Sequence, residues 1–372
     1  AGYLAGRVRV VSGADGSGLL SLYGQAGIDP VPHEDPVPDE LADQYPTLGG
    51  NPYNGHGLGF GVAAGDFDGD GRADVAAGAP NVDWPDDGQD LDRLDGGRVY
   101  VLGAVSGVAA VDLTAFSDLD SRSSETPGFV VETTKSNQLT GNGQMGRVTT
   151  LGDIDGDGLD DLLITPMGVA ANFLYVVLGR ASGLSLDADG GAHDGVFRFD
   201  EATSWKVTIG DPDYLDNLQS GRSYQYNRYP GAVGDLNGDG LAEVAIASVE
   251  NEGGVLNQYE VAVVFGKQGL PSIDLAAVDQ GVGGFVIEGR PSDAVAVSSL
   301  VVAGVGDQNQ DGLDDLGICM KVRLGTVDGA QQRRLYTVYG KATGETVTFA
   351  QLEAGVGGAT RVVVHDASDV DH

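Results

Sequence analysis

The sequence predicts an all-β chain assembled from repeated four-stranded antiparallel units, and three observations predict it. Glycine supplies 60 of the 372 residues, which favours many turns over long helices. Short runs rich in Val, Ile, Tyr and Phe are bounded by Gly, Asp and Ser, the pattern of strands that end in tight turns. One acidic stretch occurs four times in a fixed frame, which marks a repeat architecture.

The acidic stretches are GDFDGDGRADVAAGAP from Gly65, GDIDGDGLDDLLITP from Gly152, GDLNGDGLAEVAIAS from Gly234 and GDQNQDGLDDLGICM from Gly306. A run of small and apolar residues precedes each (GFGVAAG, MGRVTTLG, YPGAVG, SSLVVAGVG) and reads as a first strand. The apolar run after each acidic loop reads as a second strand. A third follows as GRVYVLG (Gly97–Gly103), FLYVVLG (Phe173–Gly179), YEVAVVFG (Tyr259–Gly266) and RLYTVYG (Arg334–Gly340). The unit closes with GFVVE from Gly128, GVFRF from Gly195, GFVIE from Gly284 and TRVVVHD from Thr360. The expected repeats span about 58–132, 142–200, 229–289 and 298–366, with long loops at 25–57, 81–96 and 201–229. Four-stranded units that cannot bury their faces alone suggest the blades of a β-propeller. A linear stack of repeats and two separate sandwiches are the alternatives.

Within each acidic loop, numbered from its first aspartate, positions 1, 3, 5 and 9 carry oxygen-bearing side chains. They are Asp66, Asp68, Asp70 and Asp74; Asp153, Asp155, Asp157 and Asp161; Asp235, Asn237, Asp239 and Glu243; and Asp307, Asn309, Asp311 and Asp315. Position 6 is always glycine, which tolerates the positive φ of a sharp turn. Alternate side chains of a tight loop can face one centre, and the backbone carbonyl at position 7 (Arg72, Leu159, Leu241, Leu313) adds an oxygen. Two unit charges about 4 Å apart repel by roughly 4 kcal/mol at an effective dielectric near 20, and a cation between them reverses the sign. Hard oxygen ligands in a flexible loop suit Ca²⁺, up to four ions, rather than Zn²⁺, which takes Cys and His. Position 12 is Ala77, Ile164, Ile246 or Ile318 and the flanks are strands, so an EF-hand is excluded. Dockerin loops share the first nine positions but lead into a helix, which the early prolines of DVAAGAP and DLLITP oppose.

These units resemble the FG-GAP repeat of integrin α-subunit β-propellers and of many bacterial surface proteins. The name-giving motifs stand as Phe60-Gly61 and Gly78-Ala79-Pro80; later copies depart, with Met145-Gly146 and Thr165-Pro166, then Pro230-Gly231 and Ala247-Ser248. VVFGKQG and TVYGKATG are closer to the bacterial branch. The resemblance covers about Gly6 to Asp366. It implies a single propeller domain, Ca²⁺ in the hairpin between strands 1 and 2 of each blade, an extracellular or cell-surface setting, and adhesion or ligand binding.

One feature departs from a closed ring. GRVRVVSGADGSGLLSLYG (Gly6–Gly24) reads as strands 3 and 4 of a half-blade, so five strand 3–4 pairs accompany four strand 1–2 hairpins. A fragment of a larger propeller, a ring completed by a neighbouring molecule and irregular pairing of the terminal pieces all fit that count. The chain opens at Ala1 without a signal peptide, as expected of a processed chain or a fragment.

The charge is consistent with cation binding. The formal net charge is −34, with 55 acidic residues, which disfavours nucleic acid and anionic lipid as partners. No apolar run is long enough to insert into a membrane. Cys319, the one cysteine, sits in an apolar run and reads as a buried, inert thiol.

Strand parity puts the loops between strands 2 and 3 and between strands 4 and 1 on the face opposite the acidic loops. Length varies most there, and that face is the expected location for a protein or glycan ligand. It carries Tyr45, Tyr53, Trp84, Trp205, Tyr214, Tyr224, Tyr226 and Tyr229, which either contact a partner or pack the long loops. None of His33, His56, His193, His365 and His372 lies in an HExxH or GxSxG motif, so binding is favoured over catalysis. A structural subunit of a surface filament or layer, prone to self-association, and a polysaccharide-active enzyme are the alternative functions.

Overall fold

The computed structural model of the chain describes residues 7–11, 18–23, 58–80, 97–103, 111–112, 128–132, 145–166, 173–180, 196–198, 206–210, 222–226, 230–252, 255–269, 273–325, 331–355 and 359–364. The chain forms two compact units. One comprises Ala1–Ala64, Ala73–Val148 and Ser182–Thr203, and the other Gly65–Arg72, Thr149–Ala181 and Ser204–His372. The described residues are almost all in strands, in sheets of mostly antiparallel pairing.

The first unit opens with β1 (Arg7–Val11) and β2 (Gly18–Tyr23), an antiparallel pair with Arg7 opposite Tyr23. Both strands lie within the run Gly6–Gly24. The first complete sheet runs β3 (Val62–Gly65), β4 (Asp74–Ala79), β5 (Arg98–Leu102) and, past the short β6 (Val111–Asp112), β7 (Gly128–Glu132). All five residues of β5 are buried, which explains its unbroken apolar reading around Arg98. Close packing also fixes a glycine here. A Cβ at Gly128 would lie 2.5 Å from the Val101 carbonyl oxygen.

The second sheet contains β8 (Met145–Gly152), β9 (Asp161–Pro166), β10 (Phe173–Val177) and, after β11 (Val196–Arg198), β12 (Lys206–Gly210). Here the fold corrects the sequence reading. The run from Gly195 does not close this sheet. Its strand β11 pairs in parallel with β7 of the first sheet, and β12 takes the fourth place, antiparallel to β10. The third sheet has a divided first strand, β13 (Arg222–Tyr226) and β14 (Gly231–Gly234), both paired to β15 (Glu243–Glu252), followed by β16 (Val255–Val264), β17 (Ile273–Asp274) and β18 (Gly284–Glu288). The segment 201–229, expected to be one loop, thus contains β12 and β13. The last sheet is β19 (Ala294–Gly306), β20 (Asp315–Leu324), β21 (Gln331–Val338) and, past β22 (Val347–Thr348), β23 (Ala359–Val364).

A common rule links the sheets. Each connection between strands 3 and 4 contributes a very short strand that pairs in parallel with the outer strand of the preceding sheet: β6 on β2, β11 on β7, β17 on β12 and β22 on β18. An outer strand otherwise presents unpaired N–H and C=O groups, and the added strand covers part of that edge. In the last two units a helix follows directly: α1 (Leu275–Asp279) and α2 (Phe349–Ala354). Thr348 caps α2 by accepting the Gln351 N–H, Gln351 reaches back to the Thr348 N–H, and Gly355 ends the helix at φ 67°.

The core of the second unit lies between sheets. Val244 and Ile246 of β15 pack with Leu163, Val176, Ala262 and Val264, and Ala245 and Ala247 point the other way, towards Ile318, Met320 and Val322 of the last sheet. Successive residues of a strand face opposite sides, so a strand covered on both faces must be apolar throughout. β20 is covered on one face only, and this corrects the expectation for Cys319. Ile318, Met320 and Val322 point inward, whereas Cys319 is exposed.

The inner face of the last sheet ends in a charged clamp. Arg334 is 1% exposed. Its guanidinium donates to both carboxylate oxygens of Asp293 at 2.7 and 2.6 Å and to Glu353 of α2 at 3.2 Å. Glu353 in turn accepts from the N–H and hydroxyl of Ser292. The short turn between β18 and β19 is thereby fixed to the helix. Replacing Arg334 with Met should lower unfolding stability by about 2–3 kcal/mol, the lower end for a broken buried pair because Asp293 can rehydrate. Urea denaturation measures this; a midpoint unchanged from the parent chain contradicts it.

Candidate metal centres

Each acidic loop is the tip of the hairpin between the first and second strands of its sheet, and its conformation follows from its sequence. The position 6 glycines Gly71, Gly158, Gly240 and Gly312 have φ of 80°, 88°, 88° and 92°. Position 4 is also left-handed, at Gly69, Gly156 and Gly238; Gln310 stands there in the fourth loop with φ 64°, at a cost of roughly 1–2 kcal/mol for a residue with a Cβ.

The loops are wound around their own carboxylates. The position 6 N–H donates to Oδ2 of position 1 in all four: Gly71 to Asp66 at 3.0 Å, Gly158 to Asp153 at 2.8 Å, Gly240 to Asp235 at 3.0 Å and Gly312 to Asp307 at 2.9 Å. The position 7 N–H of Arg72, Leu159, Leu241 and Leu313 donates to the position 5 carboxylate at 2.8–2.9 Å. In loops 2 to 4, Oδ1 of position 1 accepts two further N–H groups, from positions 4 and 5. In loop 1, Asp66 Oδ1 is buried with no hydrogen-bond partner. A carboxylate oxygen withdrawn from water without a partner is costly, and a cation at that oxygen removes the cost.

Three loops bring carboxylates together. Asp66, Asp68 and Asp70 form one group, Asp153, Asp155 and Asp161 a second, and Asp235, Asp239 and Glu243 a third; within each, one oxygen per residue lies within 4.8 Å of the others. Asp307, Asp311 and Asp315 form no such group among the described residues. Asparagine at position 3 changes the chemistry locally: Asn237 donates to Asp239 and Glu243, and Asn309 donates to Asp311. All donors are oxygens, with no His or Cys among them, so these three groups fit a hard cation.

Position 9 has a second task. Asp161, Glu243 and Asp315 are fully buried. The carboxylate of Asp161 accepts the N–H of Ile154 in its own loop at 2.8 Å and that of Gly179, at the end of the third strand, at 2.7 Å. Asp315 does the same with Gln308 and Gly340, and Glu243 accepts from Leu236 at 2.5 Å. One side chain therefore joins loop, second strand and third strand. Burial pushes the carboxyl of Asp161 up to about 7, against the opposing pull of its two N–H donors. It pushes Glu243 up to about 8. Asp155 is also raised, by burial and then by the charge of Asp157.

Neighbouring loops touch through position 8, which the sequence reading passed over. The Asp160 N–H donates to the Asp66 carbonyl at 3.1 Å, and the Asp66 N–H donates back to Asp160 Oδ2 at 2.8 Å. Asp314 and Asp235 repeat the arrangement at 2.9 and 3.0 Å. Ala242 joins Asp153 by the backbone bond alone, at 2.8 Å. Asp-Asp doublets at positions 8 and 9 of loops 2 and 4 were the available signal. The third-strand glycines make the approach possible, since a Cβ at Gly266 would lie 2.6 Å from the Ala242 carbonyl oxygen and 2.8 Å from that of Ile154.

A raised carboxyl pKa in the fold means that the folded state prefers the proton. The stability gained is complete below the ordinary values of 3.8 and 4.5 and is lost as pH rises through about 7 for Asp161 and about 8 for Glu243. With metal chelated, the melting temperature should therefore fall as pH is raised from about 5 to about 8.5, and Glu243→Gln should flatten the upper part of that decline. An unaltered slope in Glu243→Gln contradicts the assignment.

The five histidines and the insertion aromatics Tyr45, Tyr53, Trp84, Trp205, Tyr214 and Tyr229 lie outside the described residues; Tyr224 and Tyr226 are on β13. No helix among the described residues is long and apolar enough to cross a membrane. No curated protein matches the chain. Within the first complete unit, the Gly59 N–H bonds the Gly78 carbonyl and the Gly78 N–H bonds the Gly61 carbonyl, each at 2.9 Å, so the Phe-Gly and Gly-Ala-Pro segments face each other across the hairpin. Residues 58–102, from before β3 to the end of β5, match the model of the FG-GAP repeat family.

Proposed function

We propose that this chain is a calcium-binding β-propeller module of the extracellular or cell-surface kind that holds a protein or glycan ligand on the loop face opposite the calcium hairpins. The observation that carries the proposal is the repeated carboxylate group at the hairpin tips, with Asp66 Oδ1 buried and unpartnered. The FG-GAP match at residues 58–102 supports the propeller and the extracellular setting. Calcium is the favoured cation because the donors are hard oxygens on loops of backbone flexible enough for its long, irregular coordination. Asp66, Asp68 and Asp70, with Arg72 through its carbonyl and Asp74, would hold the first ion. Loop 2 would hold the second through Asp153, Asp155, Asp157, Leu159 and Asp161, and loop 3 the third through Asp235, Asn237, Asp239, Leu241 and Glu243. The fourth loop, with Asn309, Gln310 and no converging triple, is the weakest candidate.

A structural role in a surface layer is the second reading. Val301 at 40% and Leu335 at 38% exposure flank the exposed Cys319 across three adjacent strands of the last sheet. Concentration-dependent assembly without any ligand would favour it over the binding module.

Binding to the native state alone contributes about 2.7 kcal/mol per site at a hundredfold excess over Kd. Millimolar Ca²⁺ should raise the melting temperature well above that in chelator, and Asp157→Ala should lose one equivalent of bound ion. Identical melting curves with and without Ca²⁺ overturn the calcium assignment. Glycan-array or pull-down binding that chelator abolishes supports the ligand-binding role; turnover of a polysaccharide replaces it with an enzymatic one.

A further inference from the structure

We propose that the first two calcium sites bind cooperatively, with Asp160 as the positioning residue that couples them. The inference rests on the calcium reading above and goes beyond it to how the sites communicate.

The coupling path is short. Asp160 stands next to Asp161, a member of the second carboxylate group, and next to Leu159, whose carbonyl is assigned to the same site. Its own N–H and carboxylate bracket Asp66, a member of the first group, from both sides: N–H to the Asp66 carbonyl at 3.1 Å, Oδ2 from the Asp66 N–H at 2.8 Å. The Arg180 N–H adds a third bond, to the Phe67 carbonyl at 2.8 Å. An ion in loop 2 fixes residues 159–161, and that fixes the backbone of Asp66, whose buried Oδ1 is unpartnered. Thermodynamic linkage makes the effect reciprocal.

Gly65, the residue before position 1 of the first loop, lies on the same path. A Cβ at Gly65 would lie 2.8 Å from Asp160 Oδ2, and one at Gly234 would lie 2.0 Å from Asp314 Oδ2. At Gly306, beyond which no further loop packs among the described residues, nothing lies within 4 Å. Gly152, Gly234 and Gly306 have φ of 86°, 83° and 68°, which favours glycine by itself; at Gly65, outside that region, it is Asp160 together with Thr150 Cγ2 at 2.9 Å that leaves no room for a side chain. Asp314 gives the fourth loop a corresponding use: it brackets Asp235 of the third site although its own loop gathers no carboxylate triple. Loops 2 and 3, joined through Ala242, lack the side-chain half of the bracket.

The test is calorimetric titration of the full chain with Ca²⁺ in an Asp239→Ala background, which leaves the first two sites. The second ion should bind at least about fivefold more tightly than the first. Asp160→Ala should abolish that difference while retaining two bound ions, and Gly65→Ala, which alters no carboxylate, should do the same. Asp160→Asn keeps an acceptor oxygen for the Asp66 N–H and should preserve cooperativity. Independent binding in the Asp239→Ala parent, or cooperativity untouched by both Asp160→Ala and Gly65→Ala, overturns the proposal. If no variant or parent takes up Ca²⁺, the calcium reading itself fails, which is a separate result. Melting in chelator reports the fold of each variant; should Asp160→Ala not fold, Gly65→Ala against Asp160→Asn decides.

Discussion

Like charges are held together at the hairpin tips, and the rest of the arrangement depends on that. Three carboxylates with oxygens inside 4.8 Å repel one another, and the repulsion is offset here in two ways. Backbone N–H groups of the loop turn inward onto positions 1 and 5, and the position 9 carboxylate is drawn into the sheet, where it accepts N–H groups from its own loop and from the third strand. Neither supplies a full positive charge. Burial first, and the neighbouring acids after it, raise the carboxyl pKa values of Asp161 and Glu243, and a divalent cation at the tip would favour the charged forms.

Successive loops also join one another. Each of the first three hairpin tips accepts a backbone bond from the loop that follows it, Asp66 from Asp160, Asp153 from Ala242 and Asp235 from Asp314. The third-strand glycine sits where those backbones meet, which is why a side chain is excluded at Gly179, Gly266 and Gly340. The acidic loop is therefore both a candidate ion site and a joint, and an ion bound in it would act on the neighbouring loop as well as on its own turn.

Much of this was legible in the sequence. The four loops, their glycines and the strands around them follow from short β-rich runs bounded by turn residues, from the repeat, and from the demand for positive φ at fixed positions. The fourth strand of the second unit was not legible, because GVFRF and KVTIG read alike as short β-rich runs and only pairing distinguishes them. Cys319 lies in an apolar run of a strand covered on one face, so composition alone pointed the wrong way. Helix α2 did carry a signal, Thr348 with Gln351 three residues on, which matches a capping box but was hidden among strand-forming neighbours. The role of Asp160 and Asp314 was out of reach, since a bond between loops far apart in the chain leaves no local periodicity.

The central claim is that these hairpin carboxylates are calcium ligands. Elemental analysis of the chain after gel filtration in Ca²⁺-containing buffer tests it most directly. The account predicts three tightly held Ca²⁺ per chain, one for each converging carboxylate group, falling to two in Asp155→Ala. A chain that emerges without calcium, or one whose calcium content is indifferent to Asp155→Ala, contradicts it.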